Sequence, residues 1–107
     1  MDLTASNAFR QVEWNHSSSP PDKAFQLSSW RCAKVKVGQT FEWDWDGLND
    51  LTTFHVMVGN GGDSPSFVDS ANVSRKKIVA TFTAPGTYGY TCGPHPTAMS
   101  GVIWVVP

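Results

Sequence analysis

A thiol, an imidazole and a thioether stand close together in the stretch Thr91-Cys92-Gly93-Pro94-His95-Pro96-Thr97-Ala98-Met99. A second imidazole, His55, interrupts an otherwise apolar stretch just ahead of Gly59-Asn60-Gly61-Gly62. Two imidazoles and one thiolate, with a weak thioether on the axis, make the donor set of a mononuclear copper centre. Thiolate and thioether suit Cu(I), and imidazole suits Cu(II), so one site serves both oxidation states. Pro94 and Pro96 flank His95 and fix two φ angles, which stiffens the loop that would carry the ligands.

Short alternating segments surround these residues. Val35 and Val37 alternate with lysines up to Gly38-Gln39, and Phe41, Trp43 and Trp45 alternate with acids up to Asp46-Gly47. Phe54, Val56 and Val58 alternate with His55 and Met57 as far as the Gly-rich turn. Ile78, Ala80 and Phe82 lead to Pro85-Gly86, then come Tyr88, Tyr90 and Cys92, and Val102 to Val106 closes the chain. Period-two patterning at this spacing predicts an all-β sandwich or barrel of seven to eight antiparallel strands. No stretch has a helical period, although Ser66 to Ser74 has room for one short turn. Ser17-Ser18-Ser19-Pro20-Pro21 is a loop by composition.

A chain of 107 residues, 40% apolar and 16% charged, is expected to form one domain over 1–107 with an aromatic-rich core. The formal charge of −1 and the lack of a basic stripe argue against nucleic acid as a partner. No apolar run approaches the roughly 20 residues that span a bilayer. Met1 to Ser6 lacks the basic start and apolar stretch of a secretion signal. That leaves a mature domain without its leader, or a cytoplasmic protein.

Gly86-Thr87-Tyr88-x-Tyr90-x-Cys92-x-Pro94-His95, followed by Met99-x-Gly101 and a strand, resembles the copper loop of cupredoxins, above all the plastocyanin, halocyanin and amicyanin group. Val35-Lys36-Val37-Gly38-Gln39-Thr40-Phe41 resembles that family's strand and turn ahead of its first His. The resemblance covers about residues 30–107. It implies an eight-stranded Greek-key sandwich holding one type 1 copper ion through His55, Cys92, His95 and Met99. It further implies a one-electron carrier, not an enzyme, working in the periplasm or otherwise outside the cytoplasm. Redox partners would dock transiently around His95, beside Pro94, Pro96 and Ala98.

Two departures from the family pattern shape the expectation. Three residues separate His95 from Met99, between the four of plastocyanin-like loops and the two of amicyanin-like ones. The axial position is therefore held by Met99 or open to water or a small molecule such as nitric oxide, which would allow small-molecule redox chemistry. Val56 stands where the family usually places an Asn that ties the ligand loops together, so another contact must orient His55.

Other residues carry plainer readings. Cys32 reads as a small buried apolar residue, His16 as an exposed loop residue, and Arg75-Lys76-Lys77 as a solvated turn or a docking patch for an acidic redox partner. Copper oxidases and nitrite reductases need further His-rich sites, and with 3 histidines in all a multicopper enzyme within this chain is excluded by counting. A rival frame is a metal-free immunoglobulin-like binding domain with a Cys32–Cys92 disulfide, a core Trp at 43 or 45, and Tyr90 two residues before the second Cys. It leaves His55, His95 and Met99 unexplained.

Overall fold

The computed structural model describes residues 1–14, 31–45, 50–97 and 99–107; His16, the loop expected over 17–21, the turn at Asp46-Gly47 and Ala98 lie outside the described residues. Eight strands are described: β1 (Gln11–Glu13), β2 (Cys32–Lys36), β3 (Thr40–Asp44), β4 (Met57–Gly62), β5 (Asn72–Val73), β6 (Lys77–Thr81), β7 (Gly86–Cys92) and β8 (Ser100–Val106). They form two four-stranded sheets, ordered β1-β3-β6-β5 and β2-β8-β7-β4. Four of the six pairs are antiparallel as expected, but β1/β3 and β2/β8 are parallel, each joining strands far apart in sequence that no hairpin connects. The expected all-β sandwich is thus present, and a 3-10 turn over Phe67–Ser70 lies inside the stretch that had room for it.

Alternation explains which face each strand buries. Ala33 and Val35 of β2, Phe41 and Trp43 of β3, Ile78 and Ala80 of β6, and Ile103 and Val105 of β8 all point into one core. Between the sheets an aromatic cluster forms around Tyr90, with Trp14, Trp43 and Phe67 at ring separations of 5.6, 5.3 and 5.7 Å. β7 breaks the alternation, being buried from Tyr88 through Cys92. It is an inner strand between β8 and β4, and the backbone of β4 lies directly over Gly89, where an added Cβ would sit 2.0 Å from the Asn60 carbonyl oxygen.

Two expectations are corrected around β4. Gly59 to Gly62 is the second half of β4, not a turn; the register against β7 shifts between Gly59 and Gly62, and Gly61 and Gly62 adopt φ of 79° and 86°. Glycine permits that bulge because residues with a Cβ rarely adopt positive φ. His55 is not in a strand either, since β4 starts at Met57. Along this stretch His55 and Met57 are buried, while Phe54 and Val58 are exposed.

Cys32 is exposed, not buried. Both cysteines are free, and their strands β2 and β7 flank β8 within one sheet. Two strand spacings of about 4.8 Å alone put them at least about 10 Å apart, beyond the roughly 7 Å that a disulfide spans between Cα atoms. The disulfide on which the immunoglobulin-like reading rests does not form.

Asp44 ends β3 in an uncomfortable place. Gln11 Nε2 donates to its Oδ2, but its buried Oδ1 has no hydrogen-bond partner. Burial, then the neighbouring Glu42 charge, pushes its carboxyl up to about 6 from 3.8, against the pull of Lys77. A carboxyl whose folded value is raised binds its proton more tightly in the folded state, so it costs stability above pH 6 and stops costing it below about pH 4. Asp44→Asn is expected to stabilise the metal-free protein by about 1 kcal/mol at pH 7.5, allowing for solvent screening. In urea unfolding, that gain should shrink as the pH falls to 4.

Candidate metal centre

The turn that carries His55 is built from Asp50. Its carbonyl accepts the backbone N–H of Thr53, Phe54 and His55 at 3.3, 2.7 and 3.3 Å. Its carboxylate accepts from the backbone N–H and hydroxyl of Thr52, at 2.7 and 2.5 Å, and from Arg75 Nε at 3.1 Å. Such a local side-chain-to-backbone cap competes with strand pairing and holds the chain in a turn. It also explains why the sequence alternation does not continue back through His55.

His55 is 1% exposed. The indole N–H of Trp14 donates to its carbonyl at 2.8 Å, and the rings of Trp45 and Phe54 meet its imidazole nearly edge-on at 5.8 and 5.0 Å. These contacts do the orienting that the missing Asn would have done. The tie between the two candidate ligand loops is made by backbone: Gly93 N–H donates to the Val56 carbonyl at 2.9 Å.

Cys92 ends β7, and the loop after it closes on itself. His95 N–H donates to the Cys92 carbonyl at 3.2 Å, Met99 N–H to the His95 carbonyl at 3.0 Å, and Cys92 N–H to the Met99 carbonyl at 2.8 Å. Thr91 Oγ1 bonds Ser100 Oγ at 2.7 Å and donates to the Met99 carbonyl at 3.2 Å, which pins the base of the loop. Arg31 clamps it from outside, donating to the Ser100 and Thr97 carbonyls at 2.9 and 3.2 Å.

This scaffold brings His55, Cys92 and His95 together, with their donor atoms all within 4.8 Å of one another. Cys92 Sγ lies 3.8 Å from His55 Nδ1 and 3.6 Å from His95 Nδ1. Metal–nitrogen bonds of about 2.0 Å and a metal–sulfur bond of about 2.3 Å, spread about 120° apart, place sulfur and nitrogen about 3.7 Å apart. The two nitrogen–sulfur separations therefore fit one ion shared by the three donors, and the mixture of soft sulfur with imidazole fits copper. Burial pushes the Cys92 thiol up, partly countered by the His95 backbone N–H, so the thiol keeps its proton more readily than a free one.

Met99 is fully buried, with its backbone bonded to both Cys92 and His95. His95 is the most solvent-reached of the candidate residues, and Pro94 and Pro96 beside it are exposed. Arg75 and Lys77, expected as solvated or docking charges, pair with Asp50 and Glu42.

Sequence reading missed Trp14, Asp50 and Arg31. For Trp14 a signal existed: Gln11-Val12-Glu13-Trp14 is a short alternation whose apolar members both face the core. Asn49-Asp50-x-Thr52 similarly carried the composition of an Asp-capped turn.

Comparison with known proteins agrees with this centre. Residues 29–106 match the model of the copper binding proteins of the plastocyanin/azurin family. A copper-containing nitrite reductase (NirK) from Thermus scotoductus SA-01 is similar at 28% identity and a TM-score of 0.54, over 74% of this chain. The chain spans only 20% of that reductase. A proline-to-glycine mutant of amicyanin, in its reduced Cu(I) form at pH 4, shares the fold over 95% of this chain and 86% of its own, at 20% identity and a TM-score of 0.50. The chain belongs to the plastocyanin/azurin family of copper-binding proteins, and is a cupredoxin with a type 1 copper site.

Proposed function

We propose that this protein is a one-electron carrier, a single domain over 1–107 in which His55, Cys92 and His95 hold one copper ion and Met99 takes the axial position. The convergence of three donors, with their ligating atoms within 4.8 Å of one another, is the observation that carries this reading. When bound, the copper supplies a one-electron Cu(I)/Cu(II) couple. The protein's part is to hold one donor geometry in both states. The backbone bonds of the 92–99 loop, the Gly93–Val56 tie and the Trp14 bond to His55 all serve that end. Met99, buried in the same loop and bonded through its backbone to Cys92 and His95, would be the fourth ligand by its residue type.

His95, half-buried and flanked by exposed prolines, is the proposed electron exit and the centre of a small docking face. Transient redox encounters use small interfaces. The family implies a site of action outside the cytoplasm, and no described helix is long and apolar enough to cross a membrane. The likeness to a nitrite reductase favours a second reading, in which this domain serves a reductase or reacts with a small molecule at the copper.

Protein-film voltammetry separates the two. A carrier gives a reversible one-electron wave that nitrite and nitric oxide leave unchanged. A catalytic current with either molecule overturns the carrier reading.

A further inference from the structure

Phe54 is 44% exposed, in the turn just before His55. A single exposed phenylalanine is ordinary on a protein surface. Its contacts are not: its ring centroid lies 5.0 Å from that of His55 and 5.4 Å from that of His95, and its carbonyl oxygen lies 3.9 Å from Cys92 Sγ. Phe54 therefore meets the His55 and His95 imidazoles with its ring and the Cys92 sulfur with its backbone carbonyl. The two imidazoles themselves sit 5.1 Å apart, tilted by 47°, with the Phe54 ring against both. His55 and Cys92 are 1% and 0% exposed, although they lie beside an exposed loop. Trp45 packs on His55 as well, edge-on at 5.8 Å.

We propose that the Phe54 side chain is the cover of the metal centre, a positioning residue that braces the His55 and His95 imidazoles and keeps water and small anions from the donor atoms. The proposal rests on the copper reading for its purpose, but the cover itself exists without metal. An apolar ring packed against the two imidazoles offers no hydrogen bond to an incoming anion, and admitting one between them would require moving that ring. Truncation to Ala removes the ring and leaves the backbone carbonyl near Cys92 in place, so it isolates the shielding from the turn geometry.

The experiment uses two readouts on the parent, Phe54→Ala and Phe54→Tyr proteins, all in a Cys32→Ser background so that Cys92 is the one thiol. In the metal-free proteins, the alkylation of Cys92 by iodoacetamide is followed under native conditions. Phe54→Ala is expected to react about tenfold faster than the parent, as for a buried group that gains direct solvent access, and Phe54→Tyr at the parent rate. In the copper-loaded proteins, azide should alter the visible spectrum of Phe54→Ala and leave the parent and Phe54→Tyr unchanged. Equal alkylation rates in all three proteins overturn the proposal, as does faster alkylation in Phe54→Tyr as well as Phe54→Ala. Should Phe54→Ala fail to fold by circular dichroism, Phe54→Leu replaces it, with an intermediate rate expected and a parental rate counting against the cover. If the parent forms no thiolate-to-copper band, the copper reading fails, and the alkylation arm still decides whether Phe54 shields the site.

Discussion

Cys92→Ser is expected to abolish the intense visible absorption of the copper-loaded protein and to weaken copper binding more than about a hundredfold, the upper figure for losing a mere outer-shell partner of a metal. The band requires a thiolate bound to copper, and Cys92 supplies the one sulfur among the three donors that converge. A serine hydroxyl is a harder and far weaker donor at neutral pH, so the variant keeps two imidazoles but not the covalent sulfur bond. The fold should survive, because serine is nearly the same size and the backbone bonds of Cys92 to Met99 and His95 do not involve the side chain. Absorption titration with Cu(II), with circular dichroism of the metal-free variant as control, checks both halves. Retention of the band in Cys92→Ser would remove Cys92 from the site.

The largest effect on stability is expected away from the metal, at Gly89. A Cβ there would lie 2.0 Å from the Asn60 carbonyl oxygen and 2.9 Å from its carbon, both backbone atoms of the adjoining strand. Neither atom can rotate out of the way, so β4 and β7 must separate locally. Gly89→Ala is therefore expected to cost about 3 kcal/mol or more in urea unfolding, the range of forced overpacking in a close-packed interior. Because β7 ends in Cys92 and the chain enters β4 directly from His55, the same distortion reaches the metal centre. Gly93→Ala is the control. It sits next to Cys92 in sequence, yet its added Cβ would meet nothing closer than the Val56 carbonyl at 3.9 Å. A loss of less than about 0.5 kcal/mol is expected there, as for an ordinary surface change. Equal tolerance at both positions would contradict the close strand approach.

Much of the architecture was legible because period-two alternation runs through β2, β3 and β6, each buried on one face only, while β8 read as a short apolar run closing the chain. Alternation misled where both faces of a segment find a cover or where a cap stops the strand. Phe54 to Val58 looked like one strand through His55 because its residues alternate, but Asp50 captures three successive N–H groups and turns the chain before β4 begins. Gly59 to Gly62 looked like a turn because glycine marks turns, and the structure uses it for a bulge and for close strand contact instead. Cys32 looked buried because free cysteines commonly are, and one residue of strand phase exposes it while Ala33 is buried.

The site was legible to the extent that it is local. Cys92, His95 and Met99 share a loop, and their loop pattern is visible in the chain. His55 lies 37 residues from Cys92, and only the pairing of β4 with β7 brings them together. The contacts that orient His55 were hidden for the same reason: Trp14 reaches it across 41 residues and Trp45 by a ring edge, neither of which a linear pattern encodes. The tie through Val56 was invisible in principle, since it uses a backbone carbonyl that every residue possesses.

Titrating metal-free protein with Cu(II) and recording the visible spectrum tests the central claim most directly. An intense thiolate-to-copper band that grows to saturation at one copper per chain is the predicted result. Copper bound without such a band, or a band that keeps growing beyond one equivalent, would contradict a single copper held by His55, Cys92 and His95.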